Sequence, residues 1–147
     1  MPCACATIRR AARAVTQLYD HRLRGHHIEA PQFALLAMLE RLGAPNQTTI
    51  GQRFDLVKTT LSRNLKVLKQ KRWIESAPGS DGRERRLRLT AGGRRRLAAA
   101  RPAWKKAQAD LRSMLSEHDW EATLGVLNAI TVAARGAEQP TAGRRAG

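Results

Sequence analysis

Residues 46–90, NQTTIGQRFDLVKTTLSRNLKVLKQKRWIESAPGSDGRERRLRLT, decide the fold of this 147-residue chain. Asn46 is a good N-cap for a short helix to about Phe54, in which Ile50 and Phe54 lie one turn apart and face a core. A second helix is predicted from about Lys58 to Lys71. Val57, Leu61, Leu65 and Leu68 form its inward stripe, and Thr59, Ser62, Arg63, Lys66 and Lys69 fall opposite. A strand from Trp73 to Ala77, the turn-rich PGSDG and a second strand from Glu84 to Thr90 follow. In the second strand Leu87 and Leu89 alternate with Arg86 and Arg88, the period of a half-buried hairpin.

That order reads as a winged helix-turn-helix. Short hydroxyls at Thr59, Thr60 and Ser62 suit contacts to base edges or phosphates, and long cations at Arg63, Lys66 and Lys69 extend the same surface. A charged outer face is often merely solvated. The hairpin placed directly after this one, with Arg83, Arg85 and Arg86 near its tip, favours a wing reaching the adjacent minor groove or backbone. The partner these residues fit is double-stranded DNA.

Outward from the module, the chain is helical. A first helix from about Cys5 to Arg24 carries Ile8, Ala11, Ala12, Val15, Leu18, Tyr19 and Leu23 as one apolar stripe, with Gly25 expected to end it in a left-handed conformation. Pro31 suits the first turn of a second helix, apolar on every side and therefore buried, which Gly43 and Pro45 stop near Leu42. After Thr90, Leu97, Trp104, Leu111 and His118 fall seven apart, with Ala100, Ala107 and Met114 or Leu115 between them. This near-heptad stripe predicts a long helix packed on other helices, including those of a second subunit, kinked at Pro102. Ser116 and Asp119 form a variant capping box for a last helix with Trp120, Leu124, Leu127 and Ile130 on one stripe. The expected fold class is mainly α with a small β-hairpin wing. The expected divisions are supporting and dimerisation helices over 1–44, the winged module over 45–90, dimerisation helices over 91–135 and a disordered tail over 136–147.

The charge agrees with a polyanionic partner: 27 Lys and Arg against 12 Asp and Glu give a formal +15. The arginines cluster, which disfavours a charge tuned for solubility alone. No segment is apolar enough for a membrane helix, and arginines at positions 9 and 10 interrupt any signal-peptide core, so no membrane partner and a cytoplasmic location are expected. Only Cys3 and Cys5 carry thiols, too few for a disulfide framework. No nucleophile–base set, phosphate-cradling glycine loop or carboxylate pair stands out, so neither an enzyme nor a cofactor is expected.

The chain resembles the MarR family of bacterial transcription regulators from about Cys5 to Ala134. DGRERRLRLTAGG fits the family's wing pattern, with Asp81, Arg83, Leu87, Leu89, Thr90 and Gly93 in its positions, and KTTLSRNLKVLKQKRWI matches its recognition helix. RRAARAVTQLYDHRL and RPAWKKAQ look like its first and long dimerisation helices. Val57 departs from the acidic or small polar residue many members place before the recognition helix. The resemblance implies a homodimer of interleaved first, fifth and sixth helices on a pseudo-palindromic operator. It also implies repression relieved by an effector. On such an operator Arg63 and Thr59 are expected to contact bases, with Arg83 in the minor groove beside the wing, positioned by Asp81.

Two sensors compete. A small aromatic or anionic effector in a crevice between the dimerisation helices and the module would be lined by Arg10, Arg13, His21 and Trp104. Alternatively Cys5, with Cys3 nearby and Tyr19 fourteen positions on, resembles the reactive-cysteine spacing of the family's organic-hydroperoxide sensors. The second tyrosine of those sensors would fall at Ala30. A metal site from Cys3, Cys5, His26 and His27 lacks zinc-ligand spacing, so no metal is expected. A non-specific architectural nucleic-acid-binding protein is the remaining alternative.

Overall fold

The structure, a computed structural model, describes residues 3–54, 58–79 and 85–138, with the side chains of Phe54, Lys58 and Glu138 left aside. The expectations for Phe54 as a core side chain, Val57, Asp81 and Arg83 fall outside what is described, as does the tail from 139 onward. The elements are α1 (Ala4–Leu23), a 3-10 turn (Arg24–His26), α2 (Ala30–Leu42), α3 (Gln47–Phe54), α4 (Lys58–Gln70), β1 (Ile74–Pro78), β2 (Arg85–Leu89), α5 (Ala91–Ser113) and α6 (Glu117–Glu138). The mainly helical fold with a two-stranded wing is the one the sequence predicts. The chain divides into two compact units, with the boundary inside α5 after Gln108.

In the larger unit α2 is central. Phe33, Leu35, Leu36, Met38 and Leu39 are buried around its circumference, as an all-round apolar helix requires. It ends at Gly43, whose φ of 76° is the left-handed value that glycine takes without penalty. Glu29 does not cap the start of α2. Asp20 of α1 does so instead, its Oδ1 accepting the Ala30 N–H at 2.6 Å. The buried Gln32 side chain finds a donor in Lys71 Nζ at 3.2 Å, and the same ammonium bonds the His27 carbonyl.

Three expectations need correction. Gly25 does not end α1 in a left-handed conformation. The chain tightens into the 3-10 turn, and His27 takes the positive φ of 52° while donating to the Arg24 carbonyl. His118 does not extend the α5 stripe, because α5 stops at Ser113 and His118 belongs to α6. Met114 and Leu115 lie in the connection and are exposed. Residues 136–138, expected in a disordered tail, continue α6. Pro102 sits within α5 without ending it.

The wing pairs antiparallel, Ile74 with Leu89 through Pro78 with Arg85. Leu87 and Leu89 point inward and are buried. Along its other edge β2 bridges Asn46 through Arg86, and the Leu87 N–H donates to the Pro45 carbonyl at 2.9 Å. The base of the wing is locked to α5. Thr90 donates its hydroxyl to the Arg72 carbonyl, its N–H to the Trp73 carbonyl, and accepts the Gly93 N–H on Oγ1. The Trp73 ring lies between Lys71 Nζ, 4.5 Å from its centroid, and the Arg96 guanidinium carbon at 5.2 Å.

The smaller unit is α6 and its approach. Ser116 accepts the Asp119 N–H at 3.1 Å and donates its own hydroxyl to that carboxylate. The reciprocal half of the expected box is thus a side-chain pair, because aspartate is short for reaching the Ser116 backbone. Among the described residues no helix is long and apolar enough to cross a membrane.

A Cβ at position 93 would overlap the Trp73 carbonyl. Gly93→Ala is therefore expected to destabilise the fold by about 2–4 kcal/mol, since backbone rather than a flexible side chain must move. Urea denaturation of the two proteins measures this difference.

Candidate nucleic-acid interface

The candidate surface is the outer face of α4. Its inner face is fixed by Leu61, Leu65 and Leu68, each nearly or wholly inaccessible, and each contributing about 1.5–3 kcal/mol of burial. With that stripe fixed, helical geometry turns Thr59, Ser62, Arg63, Lys66 and Lys69 outward, and all five are exposed. Thr60 is also exposed but lies about 100° further round the helix than Thr59, at the side of the face. Arg63, Lys66 and Lys69 have no carboxylate partner among the described residues. No acidic residue occupies the first turn of α4, so none within that turn offsets the positive end of its dipole. Cations and a helix N-terminus thus present one sign of charge on one surface, the arrangement that attracts a phosphate backbone.

Asn46 sets the position of α3 against this face. Its Oδ1 accepts the Thr49 N–H at 2.7 Å, the expected N-cap, and α3 then buries Ile50 completely. The cap also places Gln47 beside α4, its amide nitrogen 3.5 Å from the Ser62 hydroxyl. Gln47, Ser62, Lys66, Lys69 and Gln70 line one shallow groove of about 360 Å³. Gln47 and Gln70 are additions to the residues read from the sequence. Gln70 was accessible to that reading, because 59, 63, 66 and 70 repeat at four, three and four. Gln47 was not, because its place depends on how α3 packs on α4.

On the wing, Arg85 is exposed and pairs with Pro78 in register. Arg86 is half-buried, one residue further from the tip, with its backbone bridged to Asn46. Arg88 is engaged by Glu75 at 2.8 Å. Asp81 and Arg83 lie outside the described residues.

The expected effector residues do not converge within the chain. Arg10, Arg13 and His21 are exposed along one face of α1. Tyr19 is on the opposite face by helical phase, and its hydroxyl donates to Gln108 Oε1 on α5, one turn from Trp104. Trp104 itself stacks on the core residue Phe33, with centroids 5.5 Å apart and planes at 14°. Burial raises the Tyr19 pKa above the usual tyrosine value, which keeps this hydroxyl protonated and donating.

Both thiols are exposed at the start of α1, and Cys3 occupies its N-cap position. Cys5 and Tyr19 share a face of this helix but stand about 21 Å apart along its axis, so they make no contact within one chain. His26 and His27 lie beyond the far end of α1, about 30 Å from the thiols, which separates the four residues weighed as metal ligands.

A family model described as the MarR family matches residues 28–84. The chain is similar to the M. tuberculosis transcriptional regulator MosR, whose structure was solved in complex with DNA. The identity is 32%, the TM-score 0.85, and the match covers 94% of this chain and 100% of that one. It is 23% identical over 115 residues to the uncharacterised HTH-type transcriptional regulator YwoH of Bacillus subtilis strain 168, covering 78% of this chain and 84% of that protein. The PcaV transcriptional regulator of Streptomyces coelicolor, solved with its natural ligand, shares the fold at a TM-score of 0.80 and 20% identity, over 89% of this chain and 93% of that one.

Lys66 lies mid-face with no carboxylate partner among the described residues. Lys66→Ala is expected to weaken duplex binding by a similar factor on all sequences and to reduce the slope of log K against log salt by about 1. Fluorescence anisotropy over a salt series measures that slope.

Proposed function

Because this chain belongs to the MarR family of winged helix-turn-helix transcriptional regulators, we propose that it binds a pseudo-palindromic operator as a homodimer in the cytoplasm and represses transcription until an effector releases it. The observation that carries the reading is the exposed, hydroxyl-rich and cation-rich face of α4, held outward by its buried leucine stripe. Thr59 and Arg63 read bases, with arginine suited to bidentate bonding of guanine. Ser62, Lys66 and Lys69 meet the backbone. Arg85 and Arg83 serve the wing, and Asp81 positions Arg83. Thr60 and Arg86 contribute from the margins of the surface. The solved MosR–DNA complex supports duplex DNA as the partner. The protein acts by binding, and no catalytic role is assigned to it.

A homodimer is supported by apolar surface that one chain leaves bare. On α6, Leu124, Leu127 and Ile130 are 46%, 42% and 41% exposed, against 7% for Trp120 on the same stripe. On α1, only Leu23 of the apolar stripe is fully buried. Two copies joined through these helices would hold their recognition helices about 34 Å apart, one turn of DNA.

For the effector, α2 offers better chemistry than the exposed arginines of α1. Ala34, Ala37 and Met38 floor a cavity of about 370 Å³ whose mouth carries Arg41 and Arg53, a fit for a small aromatic anion. An effector that favours the non-binding geometry by a few kcal/mol is sufficient for release.

Genome-wide selection of bound fragments tests the central reading: a selected fragment must outcompete random duplex at physiological salt. Arg63→Ala is expected to cost about 1–3 kcal/mol on the selected fragment and to relax preference at one position per half-site. Equal competition by random duplex would leave only an architectural binder. Leu127→Asp is expected to halve the mass seen by sedimentation and to abolish operator affinity, whereas an unchanged mass would place the dimer contact elsewhere.

A further inference from the structure

Next to the recognition face lies a second basic groove, which shares Lys69 with it and is otherwise lined by residues given no part in operator reading. It has a volume of about 600 Å³ and runs between the last turn of α4, the base of the wing and the first turn of α5. Lys69, Arg72 and Arg95 line it, all exposed and none with a carboxylate partner among the described residues. Glu75, the acidic residue on its wall, is occupied by Arg88. Three unpaired cations around one concavity repel one another, and an anion seated between them relieves that repulsion.

The backbone adds to the same charge. Arg72 is held at a φ of 56° by the Thr90 hydroxyl on its carbonyl, which fixes where this residue leaves the chain. Thr90 takes the N–H groups of Gly93 and Arg94, while Ala91 and Gly92, whose N–H groups come first in the helix, line the groove. The first turn of α5 contains no acidic residue, and three consecutive arginines follow Gly93. Cations at a helix N-terminus oppose the dipole. Arg94 and Arg96 are committed to the Leu89 and His26 carbonyls. Arg95 has no such engagement among the described residues and borders the cavity.

We propose that this groove binds a compact phosphate-bearing anion through Lys69, Arg72 and Arg95, and that occupancy weakens DNA binding because Lys69 also lines the groove beside Ser62 and Lys66. The ligand is a free phosphate or phosphate ester, since the volume suits a small molecule and the groove lies against the wing base rather than its tip. The regulatory half rests on the DNA-binding reading above, and the binding half does not.

The test uses the full chain and inorganic pyrophosphate as probe, with chloride matching the ionic strength. Calorimetry without DNA is expected to give saturable binding, one site per chain. Arg72→Gln with Arg95→Gln is expected to lower its affinity about tenfold or more. Lys66→Ala, on the other groove, is expected to leave it within about twofold. Non-saturable binding, or equal losses in both proteins, overturns the site as a diffuse charge effect. Arg95→Gln alone, at an exposed helical position, keeps the comparison valid if the double variant melts early. A random-sequence duplex supplies the second arm. Pyrophosphate is expected to weaken duplex binding by the wild type and to have little effect on the double variant. If the double variant instead loses duplex affinity without pyrophosphate, the groove holds DNA phosphates and the free-anion proposal fails.

Discussion

The first turn of α5 lies against the backbone of Trp73, with room at position 93 for a hydrogen atom and nothing larger. Three hydrogen bonds of Thr90, two through its hydroxyl and one through its N–H, link Arg72, Trp73 and Gly93, so the end of the recognition helix, the base of the wing and the long helix meet at one point. The Trp73 ring extends the junction. The two cations flanking it, Lys71 and Arg96, reach on to the carbonyls of His27 and His26 between α1 and α2. The close approach leaves little room for these three elements to move independently, because packed backbone has few alternative arrangements.

The DNA-facing surface is organised from behind. Buried leucines decide which way α4 faces, Asn46 starts α3 at the residue that brings Gln47 to Ser62, and the Pro45–Asn46 segment closes the free edge of β2. Covering that edge also removes a row of unpaired backbone groups that would invite another strand. The surface can then carry unpaired cations whose mutual repulsion would disturb a looser support. Charge of this kind contributes attraction to any phosphate backbone, whereas sequence preference in such readers comes from contacts to base edges.

Two helices each keep apolar side chains exposed among the described residues. On α1 the stripe is covered only toward Leu23, and on α6 only Trp120 is buried. Isolated exposed leucines are ordinary on protein surfaces, whereas stripes repeating at helical spacing on two long helices call for a partner surface. A second copy of the chain would supply the same stripes and, through its symmetry, a fixed spacing of two winged modules.

Periodicity alone was enough to determine the element order, the burial of α2, the two faces of α4 and the alternation of β2, because each depends on side-chain direction within one element. Capping was legible for the same reason: Asn46 and Ser116 act on residues three positions ahead. The residues misread from the sequence depend on neighbours far along the chain. Gly25 was a reasonable terminator, yet His27 took the left-handed position in a connector that Lys71 and Arg96 pin from a distance. Trp104 is half-buried and stacks on the core residue Phe33, a contact between α5 and α2 that spacing along the chain does not reveal. Gln47 comes beside Ser62, and Arg72 comes to share a groove with Arg95, only once helices pack. Sequence determined which faces the helices would show; tertiary structure decided which side chains those faces bring together, because distances between elements are set by packing and not by spacing along the chain.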